Sequence, residues 1–517
     1  MDEYWNEALN EISDKYIEEA IRPKRKKFPW FGAVAATAAA AMLVVLISPL
    51  ALMAMFLGGG GMASADPGDS FSRAPVSESA QPVQKPIVPN WDDTLPLAGL
   101  LSSPEYPEMV PYPNDAINTN ENQDKYRAWR SALTAQYDQP KDYDAGLSDF
   151  FLRAIPQLVT DDGENAVCSP LNIYMTLAML TETTGGNSRA DLLKALNAES
   201  IESLRTQAGH VWNAHYRSDG AAACLLANSL WLNEGYAFNR NTVDTLAESY
   251  YASVFQGDLG SASMNNALRA WLSVQTQGLL DDYIYNVEMS DQDALALAST
   301  VFFQGRWSNP FQTSRGTEDV FHSPKGDVDT IFMNDTLAYG PYYYGKDFGA
   351  VCLGLDGAGL YSESAMWLIL PDEGYDPQDI LDSGHALHMI LGQTYKERNK
   401  TTIKVHLSVP KFDISAETDL REGLTALGLG DLFSESEADF SSILPEAMGA
   451  HLGKTTHAAR VAIDEEGVTA AAYTVMAANG APIPPEEEVY FTLDRPFLFV
   501  ITSNDGLPLF VGIVNEP

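Results

Sequence analysis

The sequence predicts an α+β fold: one large domain of helices and mostly antiparallel sheets, carried behind an apolar N-terminal segment and a Pro-rich linker. Helical apolar periodicity comes early, at Asp149–Leu158, Leu171–Leu180 and Arg189–Leu196. Apolar or alternating runs of strand length come late, at Val351–Leu355, Ala365–Leu370, Thr402–Val409 and Phe497–Thr502. Helix-rich sequence followed by strand-rich sequence is the α+β arrangement. The third observation is Glu465-Glu466-Gly467-Val468-Thr469-Ala470-Ala471-Ala472-Tyr473-Thr474, which begins as a hinge and runs on as a strand with no partner nearby in sequence.

The elements follow in order along the chain. Residues 1–27 are polar and end in Arg22-Pro23-Lys24-Arg25-Lys26-Lys27. Residues 28–57 carry no charge, and about 20 such residues suffice to cross a bilayer as a helix. With the basic cluster on its N-terminal side, this run reads as a transmembrane signal-anchor. The N-terminus is then cytoplasmic and the rest extracellular on a single-pass chain in the cell membrane. Ala63-Ser64-Ala65 resembles a signal-peptidase site, and cleavage near Ala65 would instead secrete the chain. Residues 58–142 open with four glycines and are punctuated by proline from Pro82 to Pro113, the composition of an extended linker. Within it, residues 124–137 suggest a short helix around Tyr126, Trp129 and Leu133. Continuous globular sequence runs over 143–517.

Composition excludes several functions. A formal net charge of −38 leaves no basic face for nucleic acid and none for anionic lipid. Cys168, Cys224 and Cys352 are an odd set in apolar surroundings, which reads as buried free thiols. The pairs His385/His388 and His210/His215 lack companion ligands, so no metal and no cofactor is expected. No nucleophile elbow, metal motif or phosphate loop points to an enzyme.

The hinge-strand has a physical logic of its own. With period two, Val468, Ala470, Ala472 and Thr474 share one face, and Thr469, Ala471 and Tyr473 the other. The first set is small or β-branched and could slide between two existing strands. Gly467 supplies freedom at the pivot, and neither a charge nor a proline stands at Val468.

Several blocks in a shared order give these features a family. Asn165-Ala166-Val167-Cys168-Ser169-Pro170-Leu171-Asn172, Ala227-Asn228-Ser229-Leu230-Trp231, and Phe303-Gln304-Gly305-Arg306-Trp307 followed by Pro310-Phe311 are three of them. Val409-Pro410-Lys411-Phe412, Asp439-Phe440-Ser441, Arg495-Pro496-Phe497-Leu498-Phe499 and Leu509-Phe510-Val511-Gly512 continue the series. Together they resemble the serpins over 143–517, of bacterial type with an N-terminal anchor. The resemblance implies three sheets, about nine helices and an exposed reactive loop. It also implies inhibition of serine proteases by suicide trapping, in which the loop is cut and inserts into the main sheet. The partner is then a target serine protease, held in a covalent acyl complex by a monomer.

Family spacing puts the cut within Asn479-Gly480-Ala481-Pro482. That bait lacks Arg, Lys and aromatics, which favours elastase-like or subtilisin-like targets with a small primary pocket. The resemblance implies conformational control at Ser169, Asn172, Ser299, Trp307 and His457. Ser299 stands where the family usually has Asn, so its network must be wired differently. Thr469 and Tyr473 also depart from the family pattern, on the outward face. A non-inhibitory serpin, a binding or structural surface module, is the alternative.

Overall fold

The computed structural model describes residues 39–48, 99–113 apart from 105 and 108, 120–355 apart from 221, 364–392, 400–468 and 487–517. Two nine-stranded sheets dominate the described residues. The first runs in the order β2 (Leu100–Ser102), β6 (Ala252–Gly257), β5 (Ala223–Asn233), β7 (Leu295–Arg306), a position shared by β1 (Ala39–Ser48) and β15 (Gly467–Val468), β14 (His451–Ile463) and β13 (Phe412–Asp419). A short β4 (Arg217–Ser218) pairs with β5. The second runs β16 (Glu488–Thr492), β12 (Lys400–Pro410), β9 (Gly326–Tyr344), β10 (Phe348–Leu355), β11 (Ser364–Pro371), β17 (Phe497–Thr502), β18 (Pro508–Val514), β3 (Ala166–Cys168), with β8 (Thr317–Ser323) on β9. The ladders are antiparallel except β5–β6 and β12–β16, so the sheets are mixed.

The four strands expected at Val351–Leu355, Ala365–Leu370, Thr402–Val409 and Phe497–Thr502 are β10, β11, β12 and β17. The expected helices are Leu147–Leu158, Pro170–Thr183 and Gly186–Ala195. Eleven α-helices lie among the described residues, rather than about nine. Two sheets replace the expected three for a physical reason. β9 runs for 19 residues: Gly326–Phe332 pair with β8, Phe332–Tyr343 with β12, and Tyr342–Tyr344 with β10. One strand thereby fuses what would be two separate ladders.

Helix Pro170–Thr183 is buried along its whole length and sits behind β7. It is capped by Ser169, whose Oγ accepts from Asn172 N, with Pro170 in the first turn where its missing N–H costs nothing. Its threonines turn their hydroxyls onto the helix itself: Thr176 Oγ1 donates to the Asn172 carbonyl at 3.0 Å and Thr181 Oγ1 to that of Leu177 at 2.8 Å. A helix with no wet face needs its polar atoms satisfied this way.

Two expectations about the N-terminal part are corrected. Residues 39–48, inside the run read as a membrane helix, form strand β1 between β7 and β14; the rest of 28–57 lies outside the described residues. No described helix is long and apolar enough to cross a membrane. A run of Ala followed by Met-Leu-Val-Val-Leu-Ile serves a central strand as well as a membrane helix, because both are apolar on all sides.

The linker, read as extended chain, is partly packed. The expected helix at 124–137 spans Asn120–Tyr137, and Trp129 on it is 1% exposed and donates to Asp219 Oδ2 at 2.9 Å. Tyr106 stacks on Trp212 and Tyr216, with centroids 5.7 and 5.2 Å away. Aromatic rings scattered among prolines supplied the buried area that the proline count concealed. Trp129→Phe keeps most of that area and loses the hydrogen bond to Asp219. Thermal denaturation should show about 1–2 kcal/mol lost, with earlier proteolysis in 113–137.

Candidate functional site: the gap between β7 and β14

The gap is assembled from both flanking strands and the turn above them. Trp307, directly after β7, is 3% exposed. Its Nε1 donates to the Asp464 carbonyl at 2.8 Å and its backbone N to that of Glu466 at 3.0 Å. Phe311 N donates to the Glu465 carbonyl at 2.9 Å, and its ring meets Trp307 edge-on at 6.0 Å. Asp464 Oδ1 accepts from Glu466 N at 2.8 Å and Gly467 N at 3.2 Å. Glu465 is bound to Lys411 at 2.7 Å. The start of the hinge is therefore held at several points.

Gly467 and Val468 then turn into the gap as β15. Gly467 pairs with Arg306, and Val468 with Gly305 on β7 and Ile463 on β14. A Cβ on Gly467 would lie 2.4 Å from the Gly305 carbonyl oxygen and 2.7 Å from Arg306 Cα, so only glycine permits this approach. Val468 is fully buried. Thr469–Thr474 and the bait Asn479–Pro482 lie outside the described residues.

Beneath the sheet, the N-terminus of helix Pro170–Thr183 is tied to both walls of the gap. Ser169 N donates to His457 Nε2 on β14 at 3.0 Å. Asn172 Nδ2 donates to the Ser299 carbonyl on β7 at 3.2 Å. Ser299 Oγ donates to Asn228 Oδ1 on β5 at 2.9 Å, and Asn228 Nδ2 to the Tyr250 carbonyl at 2.7 Å. Serine at 299 thus reaches sideways along the sheet to Asn228. His457 and Ser299 are the register partners of one β1 residue, Leu43, on opposite sides.

Sequence reasoning missed three features: Asn228, the occupancy of the gap by β1, and a buried charged pair above helix Ile201–His215. Asn228 lies in the Ala227–Trp231 block, but its partner Ser299 is 71 residues away, so no local pattern marks it. The pair is His215 and Asp505. His215 Nδ1 donates to the Val211 carbonyl at 2.6 Å, and Nε2 lies 3.1 Å from Ser503 Oγ and 3.2 Å from Asp505 Oδ1. Tyr143 and Ser503 also bond to the Asp505 carboxylate. Burial works against both charges. It is outweighed at Asp505 by the His215 imidazolium and the hydroxyls, which hold the carboxyl well below its ordinary range, and at His215 by Asp505, which raises the imidazole.

No group of three or more His, Cys, Asp or Glu that could hold a metal occurs among the described residues. Cys168 and Cys224 are buried free thiols and Cys352 is half-buried; burial pushes the Cys224 thiol up to about 12. Such thiols are poor nucleophiles at neutral pH.

A model of the family described as "Serpin (serine protease inhibitor)" matches residues 145–517. The chain belongs to the serpin family. Members of this serpin's family inhibit proteases and are not enzymes, and their targets are serine proteases. The human leukocyte elastase inhibitor is 30% identical over 365 residues, covering 68% of this chain and 93% of its own. Serpin-Z2B of rice is 29% identical over 408 residues, covering 72% and 97%. Among solved structures, the thermophilic serpin tengpin in its native state aligns with a TM-score of 0.61 at 22% identity, over 73% of this chain and 95% of that one. Arabidopsis AtSerpin1 in its native stressed conformation gives 0.60 at 22%, over 74% and 98%. These two show the fold.

Proposed function

We propose that this serpin traps extracellular serine proteases with small primary pockets, elastase-like or subtilisin-like, by loop cleavage and insertion between β7 and β14. The observation that carries this reading is Val468, buried and paired to both walls of the gap: the hinge already points the loop into the sheet. The strand-like sequence from Thr469 to Thr474, the bait Asn479-Gly480-Ala481-Pro482 and relatives named leukocyte elastase inhibitors support it further. His457, Ser169, Asn172 and Ser299 would hold the walls together until the loop enters, and Trp307 would mark the entry point. In a form whose residues 39–48 have left the sheet, the apolar run 28–57 and its basic flank would tether the monomeric domain to the cell membrane on residues 58–142, with secretion after Ala65 as the other outcome. The bacterial type belongs to the same reading and rests on the resemblance alone.

Incubation of the purified chain with pancreatic elastase and subtilisin should give an SDS-resistant complex at the mass of the sum, and peptide mapping should place the cut within 479–482. Cleavage with no complex against both proteases sinks the inhibitory reading. The non-inhibitory alternative is favoured by one observation, the presence of β1 where the loop would go.

A further inference from the structure

The gap between β7 and β14 holds two segments end to end. On β7, Gly467 and Val468 face Arg306 and Gly305, and Ala39 to Ile47 face Phe303 to Leu295. On β14, Val468 faces Ile463, and Ala40 to Ser48 face Arg460 to His451. Gln304 separates the two occupants along β7. Both are antiparallel to β7, so β1 runs in the direction that β15 has begun.

The sequences correspond in that register. Continuing β15 along β7 one residue at a time would bring Thr469 opposite Gln304 and Ala470 opposite Phe303, the partner of Ala39. Ala471, Ala472 and Val475 would then take the places of Ala40, Ala41 and Val44. In all four of these pairs the two segments carry the same residue. The other places pair Tyr473 with Met42, Thr474 with Leu43, Met476 with Val45, Ala477 with Leu46 and Ala478 with Ile47. Three alanines lead and larger residues follow in both, and the loop returns to alanine at 477 and 478 where β1 has Leu46 and Ile47. A gap between two strands selects for such a profile, since its backbone must be paired on both sides.

We propose that residues 39–48 are a built-in surrogate for the reactive loop, filling the insertion gap so that a chain with β1 in place cannot take up its own cut loop. This rests on the loop-insertion reading above. Displacing β1 means breaking a ladder on each side of it, whereas a loop entering an empty gap breaks none. The same ten residues cannot lie in the gap and in a bilayer at once, so a lipid surface would compete with the sheet for them.

The test uses the full chain carrying Val44→Cys with Thr456→Cys, or Val45→Cys with Thr455→Cys. These are consecutive register pairs, and both pair types in an antiparallel ladder bring Cα atoms within about 4.5–5.5 Å, inside disulfide reach. A second full-length variant, Val44→Asp with Val45→Asp, puts charges where an interior strand would carry them. Mild oxidation should cross-link at least one cysteine pair, identified by peptide mapping. The yield of SDS-resistant complex with subtilisin should rank aspartate variant, wild type, cross-linked form, with at least about a tenfold span, as a barrier change of one or two hydrogen bonds implies. Failure of both cysteine pairs to cross-link overturns the proposal, as does a cross-linked form that traps as well as the aspartate variant. Efficient cross-linking with no trapping by any form supports occupancy of the gap by β1 and overturns the inhibitory reading instead.

Discussion

Val468→Arg should convert the protein from inhibitor to substrate. Val468 is fully buried between Gly305 and Ile463. A guanidinium there would have to leave water with no acidic partner across either ladder, and an uncompensated buried charge costs several kcal/mol. Val468 is already seated in the intact chain, so arginine would favour β15 leaving the gap; on the proposed mechanism the cut loop must then carry that charge back in, which slows insertion against hydrolysis of the acyl-enzyme. About 1.4 kcal/mol changes that partition tenfold, and the fraction of cut molecules held in complex should fall at least that far. Cleavage itself should persist, because the bait lies downstream at 479–482. Val468→Thr, small and β-branched, should keep most of the trapping. Densitometry of complex and cleaved bands after subtilisin challenge separates these outcomes; equal trapping by wild type and Val468→Arg would rule out insertion led by this residue.

Asp505→Asn should be the more destabilising change. It leaves His215, with its side chain 1% exposed, without the carboxylate that charges it, and breaking a buried pair costs about 3–5 kcal/mol. The pH dependence follows from the two shifts. The raised His215 contributes stability that is full below its ordinary value of 6.5 and is lost as pH rises through its higher folded value. The lowered Asp505 contributes stability that is full above its ordinary value of 3.8 and is lost as pH falls through its lower folded value. The pair is therefore worth most between those ordinary values. Urea denaturation of wild type and variant should differ most near pH 5–6, and the difference should shrink toward pH 9. A constant difference across that range would show that His215 is neutral throughout.

Much of the domain was legible because its signals are local. The Ser169-Pro170 start of a buried helix, the alternation of Thr402–Val409 and the apolar Phe497–Thr502 each specify an element without reference to the rest of the chain. The hinge was legible for the same reason: a glycine, a β-branched residue and a run of alanine. What escaped depends on distant partners. Ala39–Ser48 is apolar on every side, and hydrophobicity alone cannot distinguish the interior of a sheet from that of a membrane. Asn228 and Ser299 meet across two strands, and His215 and Asp505 meet between a helix and a turn 290 residues later. The fusion of two ladders followed from the length of β9, which only pairing reveals.

The short contact between β2 and β6 bears on where this chain tolerates being shortened. A truncation at residue 143 or 145, where the family resemblance starts, looks harmless by alignment. It would strip β2 from β6 and leave the outermost full strand of the first sheet with unpaired N–H and C=O groups facing solvent. Such an open edge is a template for a strand from another copy. The same cut would uncover the faces of Trp212 and Tyr216 on which Tyr106 lies. Fragments beginning before residue 39 keep that border closed and also retain β1 between β7 and β14, and they are the ones to express when a single, non-associating species is wanted.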